Sequence, residues 1–135
     1  MISRPMIGFA LGASVVMALS AACIAWWLAG RDAVVTSWAT VGFVAMAVPG
    51  IAGGSWLARE HGRPESRFVI ALATGLVARL VFAAAAAFGA AKAGGGAGFG
   101  LICGLAVGFV PLIAFEAVWF ACADRVPGLD TETRA

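Results

Sequence analysis

Hydrophobic residues run through the chain in four long blocks, separated by short polar or glycine-rich segments. A helix needs about 20 apolar residues to cross the hydrocarbon of a bilayer, and every block is long enough. The pattern therefore predicts an all-α membrane protein with four transmembrane helices in one domain, residues 1–123. The four predicted spans are residues 6–30, 34–58, 68–91 and 96–123. The remaining residues, 124–135, are mostly polar, and we expect them to form a flexible cytoplasmic tail.

Composition excludes several other classes of protein. The 135 residues are 62% hydrophobic and only 12% charged, whereas soluble domains carry about 25% charged residues. The net charge of +2 is too small to indicate a nucleic-acid partner. The three cysteines lie in or at the ends of apolar blocks without disulfide or metal spacing, so we expect them to be small buried hydrophobic residues. His61 stands alone in a polar loop, where we expect it to be solvated.

Enzymatic chemistry is not indicated by any motif. The chain has a single histidine, and no nucleophile is paired with it. The glycine-rich stretch "AGGGAGFG" lacks the Gly-Lys-Ser/Thr ending and the preceding strand of a phosphate-binding loop. We therefore expect a protein that is not an enzyme and that has no metal site and no cofactor.

Basic residues are distributed unevenly between the two ends of the blocks. Because loops rich in arginine and lysine stay in the cytoplasm, the charge pattern predicts two antiparallel helical hairpins with both termini and the 59–67 loop in the cytoplasm. The opposite side carries only Arg31 and Lys92. The side predicted to be cytoplasmic carries Arg4, Arg59, Arg63, Arg67, Arg125 and Arg134.

The fourth block contains a glycine at every fourth position over four turns. Gly96, Gly100, Gly104 and Gly108 together predict a shallow groove along one side of the helix, where another backbone can approach closely. One interpretation is packing against the third or first block of the same chain. The other is a docking surface for a helix of another subunit. Pro111, after the groove, and Pro49, in the second block, predict kinked or flexible points.

Two opposite charges lie inside apolar blocks: Arg79 in "GLVARLVF" and Glu116 in "PLIAFEAVWF". At 1.5 Å per residue they lie about 18 Å and about 12 Å from the cytoplasmic edge. A charge at the centre of a span costs about 2.5–3.5 kcal/mol on insertion scales. One interpretation is an internal ion pair that joins the third and fourth spans. The other is that one or both face a partner or an aqueous path, with Gly75 leaving room for a partner backbone.

Three segments resemble the ATP synthase protein I family, small four-span membrane proteins associated with bacterial F-type ATP synthase. They are "VGFVAMAVPGIAGGSWLAREH" in the second block, "GLVARLVF" with Gly75 and Arg79 in the third, and "FVPLI" in the fourth. Glu116 and the short N-terminal basic segment, reduced to Arg4, depart from the family pattern.

The resemblance implies a place in the bacterial inner membrane and a role in assembling or stabilising the ring of c subunits. Each c subunit has a carboxylate within the membrane, which lacks its arginine partner before the ring closes. Arg79 is then a temporary cation for that carboxylate, and Glu116 holds Arg79 when no c subunit is present. The implied partners are c subunits, other integral membrane subunits and the lipid bilayer.

Three alternative functions remain at this point. The chain could be an accessory subunit of another membrane complex. It could be a small cation- or proton-coupled transporter, although the first span lacks the acidic residue that small multidrug transporters use. It could also be a four-span rotary proteolipid, although Arg79 is unsuited to an ion-carrying rotor helix.

Overall fold

The computed structural model describes residues 4–123, which form four long α-helices: α1 (Arg4–Leu28), α2 (Ala33–Glu60), α3 (Glu65–Ala93) and α4 (Ala97–Ala123). These residues contain no β-strand. Each helix is long and apolar enough to cross a membrane, so the prediction of four apolar helices is confirmed. The predicted tail, 124–135, lies outside the described residues.

The connection between α2 and α3 is shorter than the sequence pattern predicts. Helix α2 continues to Glu60 and α3 begins at Glu65, so only four residues of the predicted 59–67 loop are outside a helix. Hydropathy marks where the chain leaves the hydrocarbon, whereas a helix continues as long as its backbone hydrogen bonds are made. Gly62, with φ +84°, provides the left-handed residue of the tight connection. Glu65 then places a negative charge at the N-terminus of α3, where the helix dipole favours it.

Helix α2 lies at the centre of the arrangement. It contacts the three other helices, as α4 also does, whereas α1 and α3 do not contact each other. Along the α2–α4 interface Val35 lies against Gly100 and Ala39 against Gly104, so the two helices run in the same direction. Of the most apolar segment of each helix, 33% is buried in α2 and only 11% in α3. Helix α3 is therefore the least enclosed of the four.

The main apolar core lies between α1, α2 and α4. Phe9 is fully buried there, and its ring packs against Phe115, Trp119 and Phe120 with centroids 5.3, 5.7 and 6.1 Å away. Such aromatic pairs are each worth about 0.5–1.5 kcal/mol beyond the area they bury. A smaller cluster of Ala90, Ala97 and Leu101 joins α3 to α4.

Candidate functional site: a buried ion pair beside a glycine-packed helix pair

Arg79 joins α3 to two neighbouring helices through hydrogen bonds. Only three residues of this 29-residue helix are buried, namely Ala71, Arg79 and Ala90. Arg79 is 8% exposed, and the other two present only methyl groups. The one large side chain that α3 buries is therefore a cation.

Glu116 of α4 is the anion that meets this cation. Nη2 of Arg79 donates to Oε1 of Glu116 and, at 3.5 Å, to the backbone oxygen of Gly50 in α2. The two side chains are 10% and 14% exposed. The structure thus brings together the two charges that the sequence placed at nearby depths, and the pair connects three helices.

Two glycines of α2 make the space for this ion pair, and the sequence reasoning did not assign them to it. A methyl group added at Gly50 would overlap Leu112 and lie 3.6 Å from Nε of Arg79. One added at Gly54 would overlap Phe9 and lie 3.1 Å from Oε1 of Glu116. The signal was present in "VPGIAGG", where the two glycines are four residues apart and so share one face of the helix.

The guanidinium of Arg79 retains hydrogen-bonding capacity. Its Nε is buried and has no hydrogen-bond partner in the described part of the chain. A guanidinium has five N–H donors in a planar fork that suits two-point binding of a carboxylate. Among residues 4–123, only its Nη2 atom is bonded to the neighbouring helices. The guanidinium therefore has N–H donors beyond those that Glu116 and Gly50 use.

The glycine groove of α4 is filled by α2. Packing within the chain is therefore confirmed, but the neighbour is the second block and not the first or third, and the groove is not open to another subunit. Gly100 and Gly104 lie against the backbone oxygens of Val35 and Ala39. At the groove's ends, added methyl groups would lie 2.6 Å from Val35 at Gly96 and 2.9 Å from Met46 at Gly108.

Complementary small residues on α2 explain this choice of neighbour. Ala39 and Gly42 face the groove, and a methyl group added at Gly42 would lie 2.6 Å from the backbone oxygen of Leu101. Because side chains are minimal on both helices, the two backbones approach directly. The neighbour of the α4 groove is therefore decided by the complementary shape of α2 and not by which helix is adjacent in sequence.

Of the remaining packing residues, Gly75 lies against α2 and Pro49 lies within it, whereas Pro111 lies within α4. Gly75 does not leave room for an outside backbone, because Gly53 of α2 lies opposite it. Pro49 is buried, and α2 and α4 remain helical through Pro49 and Pro111. The kinks expected at these two prolines stay predictions.

The cysteines do not occupy the positions expected of them. Cys23 and Cys122 are exposed and Cys103 is half-buried, and all three are free thiols. The expectation that they are buried is wrong, because in a membrane-spanning helix an apolar side chain is equally suited to face lipid.

His61 is exposed, as expected, and its ring packs against Phe120, with the ring centroids 5.5 Å apart. Within residues 4–123 no group of three or more histidine, cysteine or acidic side chains could hold a metal ion.

Comparisons with models of protein families, with curated proteins and with solved structures found no match. The function has to be argued from the residues themselves.

Proposed function

We propose that this chain is a non-enzymatic accessory protein of a bacterial inner membrane that helps assemble or stabilise the c-ring of an F-type ATP synthase. The observation that carries the proposal is a buried cation, Arg79, on the helix that the rest of the chain encloses least. Ionisable residues within a membrane are functional candidates by default. This cation is kept beside a carboxylate of its own chain, on the helix most open to another subunit.

In this proposal the four helices form two antiparallel hairpins with both termini in the cytoplasm. The connection between α2 and α3 is flanked by Arg59, Arg63 and Arg67, whereas Arg31 and Lys92 stand near the other two connections. An excess of arginine marks the cytoplasmic side. The guanidinium of Arg79 then starts from a backbone position about 18 Å inside that boundary.

The partner is a c subunit whose membrane carboxylate has not yet found its arginine in the assembled enzyme. A lone carboxylate in the hydrocarbon is costly, and a cation at similar depth removes that cost. The face of α3 that the described chain leaves uncovered is apolar and suits contact with a second helix. Its exposed side chains include Leu76, Leu80 and Phe82.

Exchange of one carboxylate for another is the step that Arg79 makes possible. At rest Glu116 occupies one nitrogen of the guanidinium, and Nε has no partner among residues 4–123. An incoming carboxylate can bind the unused donors before Glu116 departs. Because the cation has an anion beside it throughout, the exchange never leaves the guanidinium unpaired in the membrane. A proton- or cation-coupled carrier is less well supported, since its working carboxylate must exchange with water and Glu116 is held by Arg79.

The proposal is tested by measuring how much c subunit accompanies the protein through purification. The full-length tagged chain is produced in its own bacterium and extracted in mild detergent, and c subunits per chain are counted by mass spectrometry. The informative variant is Arg79→Met/Glu116→Leu, which replaces both charges by apolar groups and so leaves no unpaired charge. We expect c-subunit recovery to fall about tenfold or more, because burying a lone carboxylate costs more than the ~1.4 kcal/mol that a factor of ten represents.

Lys92→Met is the matched control. Lys92 is the other cation of α3 outside the first turn, and it lies near the end of the helix with Nζ 4.6 Å from the centroid of the Phe88 ring. We expect this variant to recover c subunits as the wild type does. Undiminished recovery with the double variant contradicts the proposal. Wild-type protein that brings down other membrane subunits and no c subunit is instead an accessory protein of a different complex.

A further inference from the structure

A second polar site lies in a cleft between α2 and α3, near the short connection that joins them. The cleft has a volume of about 230 Å³ and is lined by Trp56, Glu60, Arg67 and Ile70. Pockets that hold a whole drug-sized ligand measure about 300–1,000 Å³, so this cleft suits a smaller group. Because both helices pass from apolar to charged sequence here, the cleft lies where a spanning helix meets the lipid headgroups.

Glu60, the last residue of α2, contributes a buried carboxylate to the cleft. The residue is 6% exposed, and within the described residues its Oε2 has no hydrogen-bond partner. The nearest cation is Arg63, whose Nη1 lies 3.6 Å away on a side chain that is 45% exposed. A buried carboxylate without hydrogen bonds is costly. Glu60 is one of the residues that line the cleft.

Arg67 contributes the opposite charge from the first turn of α3. The residue is exposed, and its side chain has no carboxylate partner in the part of the chain that the structure describes. Guanidinium groups bind phosphate through paired N–H donors. The cleft therefore offers an acceptor for a cation and a donor for a phosphate.

The two other lining residues fit a lipid better than a soluble ligand. Trp56 is 38% exposed, and tryptophan rings favour the boundary between headgroups and hydrocarbon. Ile70 is 58% exposed and begins the uncovered apolar face of α3, along which acyl chains can lie.

We propose that this cleft binds the headgroup of an aminophospholipid, with Glu60 accepting hydrogen bonds from the ammonium group and Arg67 donating to the phosphate. A lipid with phosphate alone satisfies Arg67 and leaves Glu60 with no cation except Arg63, 3.6 Å away and without a hydrogen bond to Oε2. The site is separate from the Arg79–Glu116 ion pair, and it does not depend on any c subunit.

The test is a comparison of lipids on the purified full-length protein in a neutral detergent. Native mass spectrometry measures the affinity for phosphatidylethanolamine, phosphatidylcholine and phosphatidylglycerol with identical acyl chains. We expect phosphatidylethanolamine to bind about tenfold tighter than phosphatidylglycerol, a difference of ~1.4 kcal/mol. Phosphatidylcholine falls between them, because its quaternary ammonium has the charge but no N–H to donate.

Two variants assign the recognition to the two side chains. Glu60→Gln is expected to abolish the preference for phosphatidylethanolamine over phosphatidylglycerol. Arg67→Gln is expected to weaken the binding of all three lipids. The controls, Arg59→Gln and Glu65→Gln, remove neighbouring charges that do not line the cleft, and they are expected to leave the preference unchanged.

Three results overturn the inference, and the first needs no variant. Equal or tighter binding of phosphatidylglycerol by the wild type indicates a non-specific basic surface. A preference that survives Glu60→Gln, with helix content unchanged by circular dichroism, removes the carboxylate from the site. Free phosphoethanolamine that binds as tightly as the lipid assigns the cleft to a soluble ligand.

Discussion

The α2–α4 interface and the attachment of α3 show two different ways of joining helices within a membrane. Along α2–α4 the backbones touch because Gly100, Gly104 and Ala39 carry little or no side chain. Helix α3 buries only two alanines and Arg79, and the arginine reaches across to Glu116. The α2–α4 contact depends on shape, because a larger side chain at these positions would separate the two backbones. The attachment of α3 depends on charge, because the side chain that reaches from α3 to α4 is a guanidinium. The proposal that α3 exchanges partners rests on this difference.

The largest effect is expected from breaking the ion pair on one side only. Arg79→Met leaves the carboxylate of Glu116 buried beside Gly54 without its cation, and loss of one partner of a buried pair typically costs about 3–5 kcal/mol. Arg79→Met/Glu116→Leu removes both charges, and we expect its free energy of unfolding to return to within about 1 kcal/mol of the wild type. Unfolding by sodium dodecyl sulfate in mixed micelles measures all three proteins.

The comparison of single and double variants decides what the ion pair contributes. If the double variant is as unstable as Arg79→Met, the attachment of α3 depends on the guanidinium itself, through the Gly50 oxygen or through packing. If Arg79→Met alone unfolds like the wild type, Arg79 does not fasten α3 and the two regions do not differ as described.

A smaller effect is expected at the α2–α4 interface. In Gly104→Ala the new methyl group meets the backbone oxygen of Ala39, which cannot move aside as a side chain can. Overpacking of this kind costs about 1–3 kcal/mol. Gly98→Ala is the matched control on the same helix, because no atom of another helix in residues 4–123 lies within 4 Å of the new methyl group. Its stability should stay equal to the wild type or rise by up to about 1 kcal/mol. Equal stability of the two variants in the same micelles would show that the groove is not tightly packed.

The sequence predicts well the elements that depend on the free-energy cost of placing polar groups in lipid. Four apolar blocks predict four helices because a backbone in lipid has to satisfy its own hydrogen bonds. Arg79 and Glu116 stand out because charges are costly in lipid, and their similar depths suggested that they meet. The same reasoning predicted a close-packing groove from Gly100 and Gly104, since glycine spacing reports how near a backbone can come.

The elements that the sequence predicts poorly are those that depend on which surfaces face each other. Leu112 is 1% exposed and Leu80 is 61% exposed, yet each is a leucine in an apolar helix. Lipid tails are as apolar as a protein core, so hydropathy does not separate the two environments. For the same reason Cys23 is predicted to be buried but is exposed on its helix. The neighbour predicted for the groove of α4 is likewise not the helix that fills it, which is α2. The roles of Gly50 and Gly54 also depended on knowing that α2 faces Glu116.

The smallest effect, and the finest test of the difference between the two regions, is expected at Gly75. A methyl group added there would lie 3.7 Å from the Cα of Gly53, which is ordinary van der Waals contact. We therefore expect Gly75→Ala to change the free energy of unfolding by less than about 1 kcal/mol, the usual difference between the two residues inside a helix. The reciprocal variant, Gly53→Ala, places its methyl group 3.3 Å from the Cα of Gly75 and should cost more than Gly75→Ala but less than Gly104→Ala. If Gly75→Ala instead destabilises the protein as much as Gly104→Ala does, α3 is packed as tightly as α4, and it is not the helix that can change partners.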